Sequence, residues 1–79
     1  MKYKTCDDLM TALLGRLDAL PSGLTSAEAK QWYEHDPTTQ ELTDLWWKYN
    51  EALISAPQPY VGVGRITYAE GVLQAAQKG

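Results

Sequence analysis

The side chains best suited to chemistry in this chain are its one cysteine, Cys6, its one histidine, His35, and the aspartate beside that histidine, Asp36. A cysteine activated by a histidine, with a carboxylate orienting the ring, makes an acyl-transfer nucleophile. Such a site needs its groups gathered in one pocket, and the spacing gives no sign of that. Cys6 falls on the apolar stripe of a helical segment, where a thiol packs as a small hydrophobe. His35 stands next to the Pro37 break, the usual place of an exposed loop residue or a cap. A single cysteine excludes an internal disulfide, and the His, Cys and acids show no metal-ligand spacing. Gly62-Val63-Gly64 opens like a dinucleotide fingerprint, but Thr67 holds the place of the third glycine and the surroundings are helical. The glycines read as a flexible joint from which Arg65 can stand out as a contact residue. The chain therefore reads as a non-enzyme, with no catalytic residue, metal or cofactor assigned.

The acids are a second group with chemical meaning. Net charge is −3, and the middle of the chain carries most of it. Residues 28–51 hold Glu28, Glu34, Asp36, Glu41, Asp44 and Glu51 against Lys30 and Lys48, a local balance of −4. They read either as a solvated helix surface or as an acidic face for a basic partner. Clustered Lys and Arg, which non-specific phosphate binding requires, are missing. The opening Met-Lys-Tyr-Lys-Thr leads into no apolar signal segment, and no apolar run reaches membrane-spanning length. With the lone cysteine, this sets the expectation of a cytoplasmic protein.

These residues must be positioned by a single domain of 79 residues, which buries only about 60% of its unfolded surface. Four Thr-x-x-acid pairs mark four helix starts: Thr5/Asp8, Thr25/Glu28, Thr38/Glu41 and Thr67/Glu70. The first predicted helix covers 6–20, with Cys6, Leu9, Met10, Leu13, Leu14, Leu17 and Leu20 on its apolar side, and Pro21-Ser22-Gly23 stops it. The second covers 26–34, with Ala29, Trp32 and Tyr33 inward. The third covers 39–55; Asp36-Pro37 offers an alternative opening, since proline suits the first turn. Its main face holds Leu42, Leu45, Trp46, Tyr49, Ala52, Leu53 and Ala56. Pro57-Gln58-Pro59 ends it, residues 60–65 form an extended or looped link, and the fourth helix covers 68–77 with Ala69, Val72, Leu73 and Ala76 inward. The fold class expected is all-α, a compact four-helix bundle. The first and third helices pack antiparallel, and the second and fourth close the core.

Within that frame one residue is left over. Trp46 and Trp47 point about 100° apart on a helix, so one face cannot take both. Trp47 belongs to a second line with Thr43, Asn50 and Ile54, spaced four, three and four. Two readings stay open. Either Trp47 and Ile54 pack under the 57–66 link or against the last helix, or they stay exposed with Tyr60 and form an anchor rimmed by Asp44 and Glu51. Trp and Tyr beside charge are typical interface anchors. All eight aromatics are Trp or Tyr, each with a polar handle. The candidate partner-binding residues are Asp44, Trp47, Glu51, Ile54, Tyr60 and Arg65.

Two resemblances add expectations. Residues 24–47 resemble helix-turn-helix segments of the excisionase and MerR type, through Leu24, Thr25, Glu28, Ala29, Pro37 and Thr39. That resemblance implies a DNA-binding accessory protein. Yet where a recognition helix shows Arg, Lys, Asn or Gln to the groove, this one shows Glu41, Asp44 and Glu51. In size, mild acidity, lack of catalytic groups and aromatic content the chain also resembles small phage and mobile-element proteins of the anti-CRISPR type. That resemblance implies an inhibitor that occupies a basic, nucleic-acid-holding surface of a host complex. The leading expectation is such a protein-binding module, a monomer or homodimer, without membrane or nucleic-acid binding. The alternatives are the helix-turn-helix-like DNA binder and a self-associating structural phage component that uses the Trp47/Ile54 line.

Overall fold

Thr5 and Thr25 begin helices as their spacing demands. The Thr5 hydroxyl accepts from the Asp8 amide at 3.2 Å, and the Asp8 carboxylate accepts from the Thr5 amide at 3.1 Å. Thr25 and Glu28 repeat the exchange, each bond 3.2 Å. These reciprocal bonds satisfy amides that the first turn of a helix leaves unpaired. Both carboxylates titrate below their ordinary range: Asp8 chiefly because it also accepts from the Lys4 amide at 2.9 Å, and next from that of Thr5, and Glu28 chiefly because it accepts from the Thr25 amide.

The computed structural model describes residues 2–78, which form four helices: α1 (Cys6–Asp18), α2 (Ser26–His35), α3 (Pro37–Ser55) and α4 (Val63–Lys78). The first helix ends at Asp18, two residues short of its expected end, and two helix starts differ from expectation. Thr38 does not cap α3. Asp36 does, accepting from the Thr39 amide at 3.0 Å, with Pro37 in the first turn. A carboxylate caps at least as well as Thr, and proline is already set for helical φ. Thr67 does not cap α4 either. The helix starts five residues earlier than expected, at Val63, and the Thr67 hydroxyl donates back to the Val63 carbonyl at 3.3 Å. The 60–65 stretch is thus a short turn running into helix. The Tyr60 amide donates to the Pro57 carbonyl at 2.9 Å, and Gly62 takes φ +56°, a conformation open to glycine.

The bundle is all-α among the described residues, and its core is Leu9 from α1, Leu42, Leu45, Tyr49 and Ala52 from α3, and Ala69 and Leu73 from α4. Cys6 lies beside the Tyr49 phenol while Arg16 reaches Asp36, so α1 runs antiparallel to α3. Tyr68 shares a surface with Ser55, and Ala76 with Glu41 and Leu45, so α4 is antiparallel to α3 as well. The chain ahead of α1 is tied to α4: the Tyr3 amide donates to Gln77 Oε1 at 3.0 Å, and Gln77 Nε2 donates to the Tyr3 carbonyl at 2.7 Å. The result is a bundle drawn out along one axis, 50 × 22 × 16 Å.

Two packing expectations are corrected. The whole α1 stripe does not enter the core: Leu9 is buried, whereas Met10, Leu14 and Leu17 are exposed. The stripe spans about 140° of the helix, wider than the strip a single facing helix covers. Nor does α2 close the core. It contributes no buried residue and lies at one end, where the Tyr33 hydroxyl donates to the Leu13 carbonyl at 3.2 Å and the Arg16 guanidinium stands 5.7 Å from the Trp32 ring centre.

Candidate functional site

On α3 the 100° step between neighbours separates the paired tryptophans. Trp46 is half-buried, its ring 6.3 Å from that of Tyr49 at an angle of 29°. Trp47 turns outward and is 64% exposed; Ile54, two turns on, is 80% exposed. Neither is covered by the 57–66 link or by α4. Between them the line is half-buried at Asn50, whose amide donates to the Trp46 carbonyl at 2.8 Å. That bond fixes the Asn50 side chain against the helix and leaves the outer surface to the larger groups.

Asp44, Trp47, Glu51 and Ile54 are spaced three, four and three, so they form one exposed stripe on α3. Tyr60 and Arg65 form a separate unit at the α3–α4 connection. The Tyr60 ring sits 5.1 Å from Tyr68, and Arg65 Nε donates to the Tyr60 carbonyl at 3.2 Å. Tyr60 is 41% exposed, so one side of its ring serves packing rather than solvent. The six candidates thus fall into a group of four and a group of two.

The acidic region is narrower than its residue count implies. Arg16 engages Asp36 with both prongs, at 2.9 and 3.0 Å. Thr39 Oγ1 donates to the same carboxylate at 2.8 Å. The Arg16 hydrogen bond, ahead of those from Thr39, holds the Asp36 carboxyl below its ordinary range. Glu34 lies 4.0 Å from Lys30. What α3 offers outward is Glu41, Asp44 and Glu51, with Lys48 among them.

Two open clefts meet at Asp44, a feature that spacing alone does not reveal. One, of about 510 Å³, lies between α2 and α3 and is lined by Tyr33, Glu34, Thr39, Gln40, Thr43 and Asp44. The other, of about 470 Å³, lies between α3, α4 and the N-terminal segment, with Lys2, Lys48, Glu41 and Asp44 at its edge. Asp44 is therefore a carboxylate on a ridge between two hollows, with Trp47 one turn further along.

The groups weighed for chemistry are apart. Cys6 is half-buried near Tyr49, whose phenol is pushed up first by burial and then by Cys6. His35 is exposed at the end of α2, its Nδ1 2.8 Å from the Gln31 carbonyl. Among the described residues no three His, Cys, Asp or Glu side chains gather as metal ligands would. Among them, too, no helix is long and apolar enough to cross a membrane.

Two exposed apolar surfaces escaped the sequence reading. Met10, Leu14 and Leu17 make a stripe on α1, spaced four and three. Its signal was the excess width of the α1 apolar arc. Val61, Val63 and Ile66 are exposed around the start of α4; the glycines between them made that segment read as a link. Comparison with protein-family models, with characterised proteins and with solved structures finds no match.

Proposed function

We propose that this chain is a protein-binding module that works by covering part of a partner's surface with the outer face of α3. The observation that carries this reading is the exposure of Trp47 and Ile54 on one stripe with Asp44 and Glu51. A tryptophan left largely in water forfeits several times the stabilisation of a buried methylene. In so small a domain, that is a cost to stability which burial under a partner would offset. Trp47 and Ile54 supply the apolar centre of the contact, and the carboxylates supply a polar rim that selects for positive charge.

The partner this chemistry fits is a protein surface with an apolar hollow flanked by Lys or Arg. The resemblance to small phage and mobile-element proteins of the anti-CRISPR type extends the proposal. Such a basic surface is what a host complex uses to hold nucleic acid, and an acidic module seated there would exclude the nucleic acid. A helix-turn-helix role is disfavoured by two features. The helices α2 and α3 are joined through Asp36 alone, shorter than the usual three- or four-residue turn. The outer face of α3 also presents carboxylates where phosphates would lie.

The test is binding of the wild type and of Trp47→Ala and Asp44→Lys to a captured partner, with circular dichroism as a control for folding. Loss of binding by both variants with the helical signal unchanged supports the reading. Retention of binding by both overturns it. Retarded migration of labelled duplex DNA, steeply weakened by salt, would instead favour the DNA-binding alternative.

A further inference from the structure

The helix α2 is held differently from its neighbours. Among the described residues, the core and the half-buried apolar side chains packed on it come from α1, α3, α4 and the segment ahead of α1. Trp32 and Tyr33 are half-buried but lie outside that group. What ties α2 down is largely polar. The Tyr33 hydroxyl donates to the Leu13 carbonyl at 3.2 Å, and Gln40 Nε2 donates to the Glu34 carbonyl at 3.1 Å. The Arg16 guanidinium lies over Trp32 and reaches Asp36 at the end of the helix. Both flanks are turns: Gly23, at φ +84°, bends the chain ahead of α2, and Asp36 is extended between α2 and α3.

We propose that α2 is a flap latched by Arg16, which opens as a unit while the α1–α3–α4 core stays folded, and which makes and unmakes the cleft beside Asp44. Segments that bury few apolar contacts open at a fraction of the free energy of global unfolding. Asp36 divides its side-chain bonds in a way that permits this. The two from Thr39 come from three residues away and cap α3 whatever α2 does. The Arg16 fork is the one that crosses to α1. Breaking the fork and the Tyr33 bond therefore frees α2 without unwinding the start of α3. Once released, a helix of ten residues is too short to persist without packing, so α2 melts as it leaves. Tyr33 and Glu34 form one wall of the cleft, and Thr39, Gln40, Thr43 and Asp44 the other, so the cleft exists only while α2 is seated. The motion of α2 is independent of whether the α3 stripe docks a partner.

Native-state hydrogen exchange of the whole chain, read amide by amide by NMR, tests this. The amides of Lys30 to His35 are expected to share one level of protection, at least ~10-fold below that of Leu45, Tyr49 and Leu73 in the core. Arg16→Met keeps an unbranched side chain and removes the fork. It is expected to speed exchange in α2 by roughly tenfold, the worth of a charged hydrogen-bonded pair that is partly exposed. Tyr33→Phe is expected to speed it about two- to tenfold. Gly71→Ala, which stabilises α4, separates flap opening from global unfolding. It is expected to slow the core amides by up to about fivefold and to leave those of α2 unchanged. Three results would overturn the proposal: α2 amides as protected as the core, α2 slowed by Gly71→Ala as much as the core, or α2 exchange unmoved by Arg16→Met.

Discussion

Arg16 and Asp36, twenty residues apart, meet in a two-pronged ion pair that joins the end of α1 to the start of α3. Asp36 also caps α3 through Thr39, and Arg16 lies over the Trp32 ring of α2. One carboxylate and one guanidinium thus tie three helices together at the end of the bundle where α2 has no buried residue of its own.

The pH dependence of this junction follows from its sign. The Arg16 hydrogen bond lowers the Asp36 pKa in the folded protein, below the ordinary aspartate value of about 3.9. A group with a depressed folded pKa stabilises the fold fully above its unfolded value, and loses that contribution as pH falls through the folded value. Asp36→Asn keeps a good capping residue but loses the ion pair. It is expected to melt below the wild type at pH 7, with the gap narrowing as pH falls below the ordinary aspartate range. Melting curves from pH 7 downward check this; a gap that does not narrow as pH falls would rule out ionisation as its source.

Leu9 and Leu14 lie on the same helix and were indistinguishable as members of one apolar stripe. Leu9 is fully buried and Leu14 is 60% exposed. Leu9→Ala is expected to cost about 2–5 kcal/mol, enough to unfold much of a small domain. Leu14→Ala is expected to stay within about 0.5 kcal/mol of the wild type. Urea titration of the two variants separates them, and equal losses would contradict the packing of α1.

The helix starts give a second contrast. Thr25 is a cap, and Thr25→Ala is expected to cost about 1 kcal/mol. Thr67 has the same sequence signature but lies inside α4. Thr67→Ala should therefore be neutral or stabilise by up to ~0.7 kcal/mol, since alanine is the better helix former. Denaturant midpoints decide; a capping-sized loss at Thr67 would return the start of α4 to residue 68.

Gly71 sits in the interior of α4, where an added methyl meets no heavy atom within 4 Å. Gly71→Ala is expected to stabilise by up to about 1 kcal/mol. Gly62→Ala is expected to destabilise, because its φ of +56° strains any residue with a Cβ. Thermal melts of both, moving in opposite directions, are the check.

These contrasts also mark what could be read from the residues in order. The boxes at Thr5/Asp8 and Thr25/Glu28 are local exchanges among four residues, so local spacing finds them. Thr38/Glu41 and Thr67/Glu70 have the same spacing, yet Asp36-Pro37 and the turn at Tyr60 start those helices earlier. Which of two nearby starts prevails depends on contacts that spacing does not show, between Asp36 and Arg16 and between Tyr60 and Tyr68. The α3 face holding Leu42, Leu45, Tyr49 and Ala52 was legible because two helices press on it. The α1 arc was wider than its single neighbour could cover, and only packing decides which edge stays wet. For the candidate site, the spacing placed Asp44, Trp47, Glu51 and Ile54 on one stripe. It could not say that the stripe is uncovered, that two clefts meet at Asp44, or that Tyr60 leans on Tyr68.

The central claim, that the outer face of α3 is a docking surface, is tested most directly by parallel affinity capture from native lysate. The baits are the wild type, Trp47→Ala, Asp44→Lys and the exposed-face control Leu14→Ala, each matched for helical content. The result expected is one protein partner retained by the wild type and by Leu14→Ala and lost from both α3 variants. A partner recovered equally by all four baits, or none recovered by the wild type, would contradict it.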